Sequence, residues 1–216
     1  MEKENKSVNL KPHPDAKWGK ERWGRKYQDR IGQNAREILH LNSKELVEVL
    51  KEHNLPQDNM KVFEIGAGGA RNLYYIWKEN NTIKLFANDL WEKESRKNMH
   101  SDIKDNLTFY EEDTLSLVTN NTITDIDLFL TSDHLMHIQR ESTNKIIEKV
   151  RDEWKPKYIV IREVTKTYES EIHPRLAHDY TQFDTEYETV CHVNSVCNPN
   201  KESHGWYFIK ILKRKK

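Results

Sequence analysis

The sequence predicts an α/β domain whose seven-stranded, mostly parallel sheet ends in an antiparallel hairpin. Three observations predict it. From Gln33 onward, short apolar runs alternate with stretches of helical periodicity, the pattern of strands joined by crossover helices. One such run, Lys61–Ile65, stops at a turn holding Gly66, Gly68 and Gly69, and helix-forming sequence follows directly. The last two strand-like segments have only a loop between them, as in a hairpin.

At 216 residues, the chain fits one domain with an N-terminal extension, residues 1–32 before a main domain over 33–216. Lys plus Arg equals Asp plus Glu at 35 each, so no overall basic field points to nucleic acid, and a nucleic-acid partner is not expected. No apolar run reaches membrane-spanning length, and Met1 to Lys11 is charged and polar where a secretory signal needs an apolar core. A cytoplasmic location and no membrane partner are therefore expected. Cys191 and Cys197 match no disulfide or zinc spacing and read as reduced thiols. The oligomeric state stays open.

In chain order, Met1 to about Pro14 is polar with two prolines and reads as loosely held. Trp18 to Arg30 interleaves aromatics with charges, either stapling the segment to the domain or forming a lid over a ligand. Gln33–His53 has a helical pattern, with a break expected near Asn42–Ser43 and Ser43 capping a second helix. Lys61–Ile65 is the first strand, Ala70–Glu79 the first crossover helix, and Ile83–Asn88 the second strand, ending on Asp89. Leu107–Tyr110 is a third strand, leading to Asp113. Asp125–Thr131 is an apolar central strand. A helix over Glu141–Trp154 and a fifth strand over Tyr158–Ile161 follow, with the charged pair Arg162–Glu163 at that strand's carboxyl end. Thr165–Phe183 is either an insertion over the site or a solvated connection; Tyr187–Val196 and Trp206–Leu212 form the hairpin.

The Gly-rich turn is the floor of the expected site, because glycines let the backbone turn sharply and a ligand approach closely. A dinucleotide fingerprint would need a third glycine at Arg71, and a phosphate loop needs Gly-Lys-Ser/Thr; both are missing. An acid at the tip of the second strand, about twenty residues on, is where a ribose finds its acceptor, so Asp89 is a ribose ligand or else a helix cap. Ser132–Asp133–His134–Leu135–Met136–His137 is the most chemically loaded stretch. A histidine there suits proton removal near neutral pH. The same residues, with His173 and His178, read less well as a metal cluster, and no metal is expected.

Glu64, Gly66 and Gly68, with Ala70 in place of the last glycine, resemble the E-x-G-x-G-x-G motif of class I S-adenosylmethionine-dependent methyltransferases. The order of elements over roughly Gln33 to Leu212 is similar to that family's Rossmann-like fold. More narrowly, Trp23–Gly24, Tyr27 and Arg30, together with Asp127–Ile138, resemble methylases associated with pseudaminic acid biosynthesis, although Ile31 departs from their pattern. The resemblance implies S-adenosylmethionine as cofactor. It places Trp23, Tyr27, Arg30, Glu64, Gly66, Ala67, Gly68, Asn72, Asp89, Leu90, Asp113, Thr114 and Thr131 around it, Asp113 against the adenine. Asp133, His134, His137 and Glu163 would then orient or deprotonate a small polar acceptor, a sugar being one candidate. A cofactor-binding partner protein without turnover is one rival. A nucleic-acid methyltransferase is the other, and the missing N/D-P-P-Y/F motif counts against base amino-group methylation.

Overall fold

The computed structural model describes residues 33–90, 92–120, 123–168, 175–195 and 207–216. The segment carrying Trp23, Tyr27 and Arg30 lies outside them, as do His173 and Cys197. The described chain opens with α1 (Gln33–Glu52) and runs through β1 (Lys61–Ile65), α2 (Arg71–Glu79), β2 (Lys84–Asp89), α3 (Glu92–Asn98), β3 (Leu107–Glu111) and α4 (Thr114–Thr119). It continues with β4 (Leu128–Ser132), α5 (Arg140–Lys149), β5 (Tyr158–Val164), β6 (Tyr187–Asn194) and β7 (Tyr207–Arg214).

The strands form one seven-stranded sheet in the order β3-β2-β1-β4-β5-β7-β6. β1 to β5 pair in parallel, and β7 runs antiparallel to both β5 and β6. Strand alternation sorts the core into two layers. Val62, Leu85, Leu128, Leu130 and Val160 face α1 and α2, where Leu46, Leu50, Leu73 and Ile76 cover them. Phe63, Ile65, Phe129, Ile159 and Ile161 face the other layer, with Leu117, Ile146, Ile147 and Trp154. The carboxyl ends of the parallel strands converge on one edge of this sandwich, where ligands bind in open α/β sheets.

Four expectations need correction. α1 is continuous through Asn42 and Ser43, because the Ser43 hydroxyl bonds to Asn72 on α2 and does not cap a new helix. β4 starts at Leu128: Asp125 has left-handed backbone, and Asp127 accepts from the Lys61 N–H at 2.9 Å and pairs with Lys157 at 2.8 Å, pinning the neighbouring strands. The helix after the β4 loop is α-helical only to Lys149 and widens into a π turn over Val150–Trp154, which sets Trp154 against Phe63 and Phe129. Arg162 and Glu163 lie inside β5, not beyond it; as neighbours in a strand they point to opposite faces and do not pair. Among the described residues, no helix is long and apolar enough to cross a membrane.

Candidate functional site at the carboxyl end of the sheet

The turn after β1 is built from left-handed residues: φ is 61° at Gly66, 52° at Gly68 and 52° at Ala70. Ala67 donates its N–H to the Asn88 carbonyl at 2.9 Å, tying the turn to the end of β2. The two glycines serve different neighbours. A Cβ on Gly66 would meet the His134 ring, 2.0 Å from Nδ1, whereas a Cβ on Gly68 would meet nothing within 4 Å. Gly66 therefore admits a side chain of the protein itself, and Gly68 borders space that the described residues leave open. Gly68 donates its N–H to Asp89 Oδ2 at 2.9 Å, and Leu90 donates its N–H to Oδ1 at 2.7 Å. Folding thus brings together the turn and the acidic strand tip.

Glu64, in the middle of the first motif, is 1 % exposed. Asn72 Nδ2 donates to its Oε1 at 2.6 Å, and Ser43 Oγ donates to Asn72 Oδ1 at 2.7 Å. The other oxygen, Oε2, is buried with no hydrogen-bond partner among the described residues. Burial pushes the Glu64 carboxyl up to about 8, against the pull of the Asn72 bond. The sequence marked Glu64 and Asn72 but missed Ser43, whose helical spacing from the apolar residues of α1 was a usable signal.

The loop after β4 is held from β5. Glu163, 1 % exposed, accepts four hydrogen bonds. Oε1 takes the Thr131 hydroxyl at 2.8 Å, the His134 N–H at 3.1 Å and the Leu135 N–H at 3.0 Å, while Oε2 takes the Met136 N–H at 3.2 Å. It caps the short turn Leu135–His137. Burial and the nearby Asp133 charge raise its carboxyl to about 7, and the donors oppose the rise. On the opposite face, Arg162 reaches Asp133 Oδ2 at 2.6 Å and lies over the Tyr207 ring, 5.0 Å from its centroid. Asp133 adopts φ 56°, and its Oδ1 has no partner among the described residues.

On the side of β2 and β3, Asp113 caps α4, accepting from the Ser116 N–H at 3.1 Å and from the Ser116 hydroxyl. Thr114 bonds both to Asn88 and to His134, each at 2.8 Å. Asn88, fully buried, was also missed; a lone amide at the end of an apolar strand was the available signal. His137 closes the turn Leu135–His137, with its N–H on the His134 carbonyl at 3.0 Å. From the segment after β5, the His178 ring bonds to the Leu135 carbonyl at 2.8 Å, and Leu176 donates its N–H to the Met136 carbonyl at 2.8 Å. Burial lowers the His178 pKa. Arg175 donates to the Tyr207 hydroxyl at 2.9 Å, and burial moves that phenol up to about 12. Among the described residues, no group of three or more His, Cys, Asp or Glu is placed to hold a metal ion.

No protein-family model matches the sequence, and no curated protein matches it either. Solved structures do match. Magnesium protoporphyrin IX methyltransferase from Synechocystis, with bound S-adenosylmethionine, superposes with a TM-score of 0.65 at 14 % identity, over 91 % of this chain and 91 % of that one. The chain has a methyltransferase fold. A second example is 1,6-didemethyltoxoflavin-N1-methyltransferase from Burkholderia thailandensis, bound to 1,6-didemethyltoxoflavin and S-adenosylhomocysteine, with a TM-score of 0.65 at 12 % identity over 88 % of this chain and 87 % of that one. A small RNA methyltransferase shares the methyltransferase fold at a TM-score of 0.60 and 15 % identity, over 81 % of this chain but 25 % of that longer one.

Proposed function

We propose that the chain transfers a methyl group from S-adenosylmethionine to an oxygen or nitrogen of a small polar acceptor. The observation that carries the reading is the meeting of the Gly68 N–H with the Asp89 carboxylate at the carboxyl ends of β1 and β2, beside open space. The residues suit the cofactor. Glu64, Gly66, Ala67, Gly68 and Asn72 would hold its methionine part, Asp89 the ribose, and Leu90 and Asp113 the adenine side, with Thr131 at the end of β4. Glu64 Oε2, with no hydrogen-bond partner among the described residues, fits a polar group on the ligand. The narrower resemblance to pseudaminic acid-associated methylases favours a sugar acceptor.

S-adenosylmethionine, when bound, supplies an electrophilic methyl group on a sulfonium. The chain's own task is to align the acceptor, exclude water and take up the acceptor proton. Asp133 would take that last role: Arg162 holds one carboxylate oxygen, and the other, buried, has no hydrogen-bond partner among the described residues. Glu163 fixes the backbone that follows Asp133, and His137 is the titratable group at the far end of the same turn. Isothermal titration with S-adenosylhomocysteine, beside an Asp89→Ala variant, tests the reading. Micromolar binding that the variant loses supports it; no binding by the intact chain overturns it.

A further inference from the structure

Three side chains and two backbone carbonyls form a directed chain from the end of β3 to the loop after β4. Asn88 Nδ2 donates to the Tyr110 carbonyl at 3.4 Å and to the Glu112 carbonyl. Only an amide nitrogen can donate to carbonyls, so Asn88 Oδ1 must be the end that faces Thr114. The Thr114 hydroxyl donates to that Oδ1 at 2.8 Å. Its single proton is then spent, so its contact with His134 Nε2, also 2.8 Å, requires Nε2–H as the donor. The other edge of the imidazole packs on the turn, where a Cβ at Gly66 would lie 2.0 Å from Nδ1. The ring is thus wedged between α4 and the Gly-rich turn.

We infer that Thr114 and Asn88 are positioning residues that hold the His134 imidazole, protonated at Nε2, as a wedge under the cofactor-binding turn. His134 supports the turn through Gly66 and does not take the acceptor proton, a task left to the Asp133 side of the loop. The inference about the turn rests on the methyltransferase reading; the proton position does not.

Three measurements on the full chain test it. Long-range ¹H–¹⁵N spectra of ¹⁵N-histidine-labelled protein, with His134 assigned by its loss in a His134→Gln variant, should show a protonated Nε2. An Nε2 without a proton overturns the inference. Titration with S-adenosylhomocysteine should show about tenfold weaker binding for Thr114→Val, which keeps the shape and removes the hydroxyl, and recovery to within about twofold for Thr114→Ser. His134→Gln should weaken that binding while leaving the pH profile of turnover in place. Unchanged affinity in Thr114→Val overturns the inference, and loss of the acid limb of the pH profile in His134→Gln with affinity intact overturns it by making His134 the proton acceptor. If the intact chain binds no S-adenosylhomocysteine, the proposed function falls, and the proton position alone decides the wedge.

Discussion

The imidazole of His134 occupies the place that a side chain on Gly66 would need, with Nδ1 2.0 Å from the site of its Cβ. Gly68, two residues on, has the same left-handed backbone, and beyond its chain neighbours no atom of the described residues lies within 4 Å of its Cβ position. The pair separates two reasons for glycine in one motif. Gly66→Ala should cost on the order of 3 kcal/mol, from overpacking added to the left-handed penalty. Gly68→Ala should cost about 1 kcal/mol, from backbone alone. Urea denaturation of both, and of Gly66→Ala combined with His134→Ala, checks this: in the double variant the steric part should vanish, leaving a coupling of about 2 kcal/mol.

Arg162 is 1 % exposed, and its partner Asp133 is held at φ 56°, a conformation asparagine also tolerates. Asp133→Asn keeps the backbone and removes the charge, leaving a buried guanidinium without its anion. The expected loss is about 3 kcal/mol. Arg162→Met together with Asp133→Asn should recover most of it, since replacing both members of a buried pair is often close to neutral. Chemical denaturation of the two single variants and the double closes the cycle. Turnover should fall in every variant lacking Asp133.

Buried carboxyls give the ligand-free protein a pH signature. Glu64 titrates at about 8 in the fold, well above the ordinary value of 4.5, so between those values the folded chain binds more protons than the unfolded one. Stability from this group is therefore fully present at the acid end of the window and is lost as pH rises through it. Glu163, at about 7, acts in the same direction. His178, depressed by burial, acts oppositely, weakening the fold as pH falls below its ordinary 6.5. Comparing Glu64→Gln with the parent cancels these other groups. The variant should gain on the order of 3 kcal/mol relative to the parent between about pH 5 and pH 8. Calorimetric melting at several pH values measures it, and parallel curves would show that Glu64 is ionised throughout.

Much of the architecture was legible locally. Lys61–Ile65 is a strand with the bounds that its apolar run suggests, and the hairpin follows from two β-rich segments joined by a loop. The place of Asp89 at the end of β2 was legible too, since the apolar run stops there. Errors fell where a side chain had a distant partner. Ser43 carries the local signature of a cap, yet Asn72, twenty-nine residues away, claims its hydroxyl. Arg162 and Glu163 read as a pair, yet the period of two in a strand sends them to opposite faces, one to Asp133 and one to the loop amides.

The sequence by itself determined the α/β class, the order of strands along the chain and the glycine turn, because periodicity and backbone freedom are properties of neighbouring residues. Tertiary structure decided what each polar group in the site does. It placed His134 on Gly66, Thr114 between His134 and Asn88, and Glu163 beneath Thr131 and the loop that follows β4. The physical reason is that a buried donor or acceptor must be paired, and which partner it finds depends on register between strands and helices far apart in the chain. Residue identity sets only what kind of bond each group can make.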